Sequence, residues 1–268
     1  MQVGAAYQRQ AGEVLRNEIV PALERVSRSD QERVAASYDR ANQYTTLLVV
    51  AGAIAVLVLL LVQLWLAMRT HRFLNVPLAG ATVAVLAALM FGSSVLGNAA
   101  DQADAVATGP YAATVALSGA RTAAFDAKAR EAFGLINRGN AAADEAKAQG
   151  QIERAVIEMS TAQARGAATA SSDAFAAWRT EHSKVRTADD TGDWVAARNL
   201  ALGASNTVFT TFDTTSEQEL QAQAAKVDDG LSGSRMSLIV LGWLTLILGL
   251  LAALASYSGV SQRLGEYR

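Results

Sequence analysis

Few side chains in this sequence could do chemistry. It holds two histidines, His71 and His182, and no cysteine. A metal or proton-transfer site needs a second histidine or a carboxylate at compatible spacing. His182 instead shares a helical face with Phe175, Trp178 and Val185, the setting of a buried bundle histidine. Asp189, Asp190 and Asp193 offer oxygens to calcium but lack the spacing of a dedicated calcium loop; helix capping by Asp190, Thr191 or Asp193 is the expectation. The pairs Asp144–Glu145 and Asp228–Asp229 read as solvated faces. Arg121 and Arg130 are the candidate ligand-binding residues, able to clamp a small carboxylate where two helices meet. No Ser-His-Asp arrangement, phosphate loop or metal signature is present, and thiol chemistry is excluded with cysteine. The sequence therefore predicts no enzyme, no catalytic residue, no metal and no cofactor.

What must position these groups is helix, much of it in a bilayer. Of 268 residues, 51% are hydrophobic and 18% charged, too apolar for an ordinary soluble domain. No charge occurs between Arg40 and Arg69, between Arg72 and Asp101, or between Arg235 and Arg263. Each gap exceeds the roughly 20 residues that cross a hydrocarbon core about 30 Å thick. Three transmembrane helices are predicted, at 44–68, 74–97 and 236–257. No ionisable side chain lies inside them, which disfavours a pump or secondary transporter. Gly80, Ala84, Ala88 and Gly92 make a small-residue stripe suited to close helix packing. The net charge of −2, with no basic run, argues against nucleic acid as a partner.

The sides of the membrane follow from arginine. The hairpin 69–73 carries Arg69 and Arg72, and the tail 258–268 carries Arg263 and Arg268. Two crossings separate them, so they share a face, and the excess of Lys and Arg in short cytoplasmic loops assigns that face to the cytoplasm. Residues 1–43 and 98–235 are then extracytoplasmic. An exported amino terminus needs a signal peptide or an earlier span, and "MQVGAAYQRQAGEVLR" is neither. The expectation is the carboxy-terminal part of a longer protein, with 1–43 the remnant of a first outer bundle in an internal duplication.

Along the outer region, Tyr111, Val115, Ser118, Thr122, Phe125, Ala129, Ala132 and Ile136 alternate spacings of four and three, predicting a bundle helix with that stripe inward. Gly109-Pro110 punctuates the exit from the second span. Asn137–Gly150 reads as a polar break, followed by one long helix over 151–186 with Ile152, Val156, Met159, Gln163 and the His182 stripe on one side. A short helix over 194–202 ends at Gly203, and a final helix from about Ser205 carries Phe209, Phe212, Leu220, Val227 and Leu231 into the third span. No strand signal of useful strength appears. The predicted fold is all-α: an integral membrane protein with three spans and an extracytoplasmic four-helix-bundle-like domain, 98–235, continuous with them and thinly packed by alanine.

"QVGAAYQRQAGEVLRNEIVPALERV", "LWLAMRTHRFLNV", "AWRTEHSKVRTADDTGDWVAA" and the terminal "RLGEYR" resemble an actinobacterial family of multi-pass membrane proteins typified by GlnX. The resemblance implies a relay, in which an extracytoplasmic solute-binding lipoprotein reports amino-acid availability and the membrane protein signals to a cytoplasmic Ser/Thr kinase. It carries over no ligand-contacting residue. The function expected is a receptor-like transducer in the lipid bilayer, whose output passes through a partner because hairpin and tail are too small for an effector domain. The alternative is a structural or scaffolding subunit of a membrane complex.

Overall fold

Alanine-rich stretches poor in proline fold as helix, and every regular element among the described residues is helical. The structure, a computed structural model, describes residues 49–65, 76–137 and 141–265, together with residue 68 and isolated positions between 10 and 47. The readings placed on 1–43 and on the hairpin 69–73 lie outside the described residues, isolated positions aside. Seven helices are described: α1 (Val49–Trp65), α2 (Val76–Val106), α3 (Ala112–Ile136), α4 (Ala142–Ala164), α5 (Ala170–Asp190), α6 (Trp194–Leu200) and α7 (Asn206–Gly265). No strand is found among the described residues.

Two expected breaks are π-helical turns. Ala107–Tyr111 joins α2 to α3 and contains Pro110. Proline has no N–H to donate and crowds the preceding turn, and the wider π turn accommodates it without ending the helix. Ala201–Ser205 likewise joins α6 to α7, so Gly203 does not terminate the short helix. Conversely, the helix expected over 151–186 is two. Gly166 at φ +90° ends α4, with Ala167 N–H bonded to Ala162 O at 3.0 Å and Gly166 N–H to Gln163 O at 2.9 Å, the paired bonds of a Schellman cap. Gly192, at φ +82°, ends α5 in the same way. Asp193 then caps α6, accepting from Ala196 N–H at 3.0 Å. The polar break after α3 is also shorter than expected, because α4 already starts at Ala142.

The contacts divide the chain into two units, 1–103 with 232–268, and 104–231. In the first, α1 and α2 run antiparallel. Gly52 leaves room for the Leu89 side chain against its backbone, and Gln63 Nε2 donates to Thr82 Oγ1 at 2.7 Å. Of the small-residue stripe, Gly92 is buried and Gly80 exposed. Two helical runs, Ala79–Ile136 and Trp194–Ala255, hold stretches long and apolar enough to cross a membrane, and only 17% and 11% of those stretches are buried. A core helix of a soluble protein would be mostly buried, so this apolar surface associates with a membrane. Val49–Trp65 is a shorter apolar helix.

The second unit is all-helical, and its α3 turns a different face inward than the heptad-like stripe suggests. Ala113, Ala116, Leu117, Ala120, Ala123, Ala124 and Ala127 are buried, while Ser118, Thr122, Phe125, Ala132 and Ile136 are exposed. Alanine lets two helix backbones approach closely, and α3 packs this face on Ala148, Ile152, Ala155, Met159 and Ala162 of α4. Large side chains then fill one level. Phe175 and Trp178 of α5 meet Phe209 and Phe212 of α7 with ring centroids 5.2–5.4 Å apart, as tilted and edge-on rings prefer.

Candidate functional site

His182 is the centre of a buried ionic cluster. Its helical stripe on α5 is buried, and Trp178 stacks beside it at 5.2 Å between centroids. Nδ1 lies 2.8 Å from Glu131 Oε2 on α3, and Nε2 lies 3.4 Å from Glu145 on α4. His182 is 2% exposed and Glu131 4%, so neither charge could persist unpaired. Glu131 is held further by Lys128 Nζ at 2.6 Å and by the Ser205 hydroxyl at 3.0 Å. Ser205 also accepts from Trp178 Nε1 at 3.1 Å and from Lys128 Nζ at 2.7 Å. The π turn thus delivers the hydroxyl that closes the cluster, and α3, α4 and α5 meet it there.

The electrostatics follow from these contacts. Burial alone would lower the His182 pKa, but the hydrogen bonds to Glu131 and Glu145, with their charges, raise it to about 9. The ring is therefore an imidazolium at neutral pH. Burial pushes the carboxyls of Glu131 and Glu145 up, and their bonds to His182, with Lys128 and Arg186 respectively, bring both below the ordinary value. Ser205 and His182 each bind Glu131 and do not pair with each other, so the geometry is not that of an activated hydroxyl. Among the described residues, no group of three or more His, Asp or Glu is placed to hold a metal ion.

Beside the cluster, an open groove of about 680 Å³ runs between α4 and α5. Glu145, Gln149 and Ile152 line one side, and Arg179, Ser183 and Arg186 the other. Arg186 reaches Asp189 at 2.6 Å and Asp190 at 2.5 Å, and its Nε lies 3.3 Å from Glu145.

The sequence-derived candidates fall elsewhere. Arg121 donates to the Asp213 carbonyl and carboxylate, each at 2.7 Å, and to Ser216 Oγ at 2.5 Å. Arg130 pairs with Asp126 at 3.2 Å. Both guanidinium groups thus engage this chain's own oxygens, away from the groove. Asp189, Asp190 and Asp193 do not converge, since the first two bind Arg186 and the third caps α6. Glu145 is no solvated carboxylate but a member of the cluster. Glu131 and Lys128 went unnoticed in the sequence, although Glu131 continues the alanine stripe Ala120, Ala124, Ala127 at helical spacing, and a charge on that stripe is the signal. A further missed group is Glu219 of α7, 8% exposed. It accepts from Ser171 N–H at 2.9 Å and Ser171 Oγ at 2.6 Å, and so caps the start of α5.

No protein-family model matches the chain, and neither a curated protein nor a solved structure is significantly similar to it.

Proposed function

We propose that this chain is a receptor-like membrane signal transducer, relaying an extracytoplasmic cue to a cytoplasmic partner. In this reading three spans, 44–68, 74–97 and 236–257, frame an outer bundle, with the arginine-bearing hairpin and tail inside the cell. The GlnX-like resemblance supplies the partners: a solute-binding lipoprotein reporting amino acids outside, and a Ser/Thr kinase inside.

One observation carries the proposal. The helical runs Ala79–Ile136 and Trp194–Ala255 each hold a membrane-length apolar stretch and a helix of the bundle without interruption. A shift of a packed helix by an ångström or two moves whatever continues it. The π turns support the same reading, because such turns are rare within helices and are frequent at functional sites.

The natural absence of cysteine makes the test clean. Cysteine pairs across the spans, crosslinked in membranes with and without amino acids and candidate partners, are expected to change in yield when the cue is present. Yields indifferent to every cue would leave a static scaffold instead. A reporter fused after Arg268 checks the sides independently, and activity confined to the exported compartment would reverse them.

A further inference from the structure

The groove between α4 and α5 has donors without partners, while the carboxylate that lines it, Glu145, is already engaged. Glu145 accepts from Gln149 at 2.7 Å and faces both His182 and Arg186. Asp190 is likewise paired with Arg186, and Glu181 with Lys184 at 2.7 Å; Asp189 binds Arg186 through Oδ2 at 2.6 Å and keeps a buried Oδ1 with no hydrogen-bond partner. Arg179, by contrast, has no ionic or hydrogen-bond partner among the described residues, and the Ser183 hydroxyl beside it has none either. The Arg186 Nε–H is buried with no acceptor at hydrogen-bonding geometry. Arg179, Ser183 and Arg186 recur at four and three, so they lie on one stripe of α5, about 10 Å long at 1.5 Å per residue. Ile152 and Ala176 supply an apolar surface in the same groove.

From the unpartnered Arg179 and Ser183 on one wall of the groove we infer that it is a binding site for a small organic oxyanion, with the Arg179 guanidinium as its anchor. A planar fork of N–H donors matches a carboxylate or phosphoryl group in bidentate fashion, and a groove of about 680 Å³ is of ligand size. The site touches the buried cluster directly, since His182, Glu145 and Arg186 belong to both. An oxyanion held by Arg179 beside Arg186 competes electrostatically with Glu145 for the Arg186 guanidinium, 3.3 Å away, and thereby alters the pairing that joins α4 to α5. That consequence rests on the receptor reading; the binding itself does not.

Isothermal titration of the full chain in lipid nanodiscs tests it, with succinate and inorganic phosphate as probes and sodium chloride as the screening control. Saturable binding of at least one probe is expected. Arg179→Gln, an exposed substitution that leaves the melting temperature unchanged, should weaken it about tenfold or more, and Arg179→Lys should restore part of the loss. Binding of succinate alone identifies a carboxylate, and of phosphate alone a phosphoryl group. Absence of binding by both probes, or equal affinity in Arg179→Gln, overturns the inference. Binding that Arg179→Gln abolishes while the crosslinking yields stay fixed would keep the groove and remove the signalling reading.

Discussion

In the apolar unit, Leu57, Leu64, Phe91, Trp243 and Leu246 all stand 57–65% exposed, whereas in the second helical unit Phe175, Trp178 and Phe212 are at most 1% exposed. The first arrangement requires a surrounding that is itself apolar, and the second makes its own. Polar chemistry follows the same division. Charge is missing from 236–262 altogether, while the second unit buries Glu131 and His182 among three helices. Lipid can solvate a leucine but not a carboxylate, so ionic specificity is available only where protein packs against protein on every side.

The largest effect should come from removing what fills the core of the second unit. Trp178→Ala deletes a fully buried ring and the Nε1 bond to Ser205, at a cost of about 3–5 kcal/mol. Thermal unfolding followed by near-ultraviolet circular dichroism would show it, and an unchanged midpoint would mean that the aromatic level does not hold the bundle.

His182→Ala leaves Glu131 buried with Lys128 and Ser205 but without its imidazolium, worth on the order of 3 kcal/mol. The pH dependence has a definite sign. Because the folded His182 value is raised from 6.5 to about 9, its stabilisation is complete below pH 6.5 and is lost as pH rises through about 9. Glu131 and Glu145, lowered from 4.5, stabilise above that value and lose their contribution as pH falls through their folded values. Stability of the wild type should therefore be greatest between about pH 4.5 and 6.5, and the variant should lack the decline between pH 6.5 and 9. An identical alkaline decline in both proteins would assign it to other groups.

A lysine in place of Ile247, which is 51% exposed within the run 236–257, should cost about 2.5–3.5 kcal/mol of membrane insertion. The bundle contacts are untouched. Alkaline extraction of membranes should release a larger fraction of Ile247→Lys than of wild type, and equal retention would count against that stretch as a span. Smallest of all, Asp193→Ala removes the cap of α6 for about 1 kcal/mol, with insertion unaffected and the melting temperature lowered by a few degrees.

Several elements were legible in the sequence because one residue decides each. The charge-free stretches mark the apolar helices, Phe175, Trp178, His182 and Val185 mark the buried face of α5, and Asp193 marks a cap. The end of α4 was legible too, in Gly166 followed by Thr169, Ser171 and Ser172, but reading a single helix through the gap between Gln163 and Phe175 concealed it. The inward face of α3 went wrong for a physical reason. Residue size suggests that Phe125 and Ile136 turn inward, yet α3 and α4 approach so closely that only alanine fits between them, and the larger side chains are displaced outward.

Length, helicity, the membrane-apolar stretches and the absence of thiol chemistry are properties of the chain taken one segment at a time, and sequence alone determined them. The pairing of Glu131 with His182 and Glu145, the arrival of Ser205 through a π turn, and the commitment of Arg121 to Asp213 join residues up to 92 positions apart. No local rule specifies such pairs. They exist because burial makes an unpaired charge too costly, and only the packed helices decide which partner is within reach.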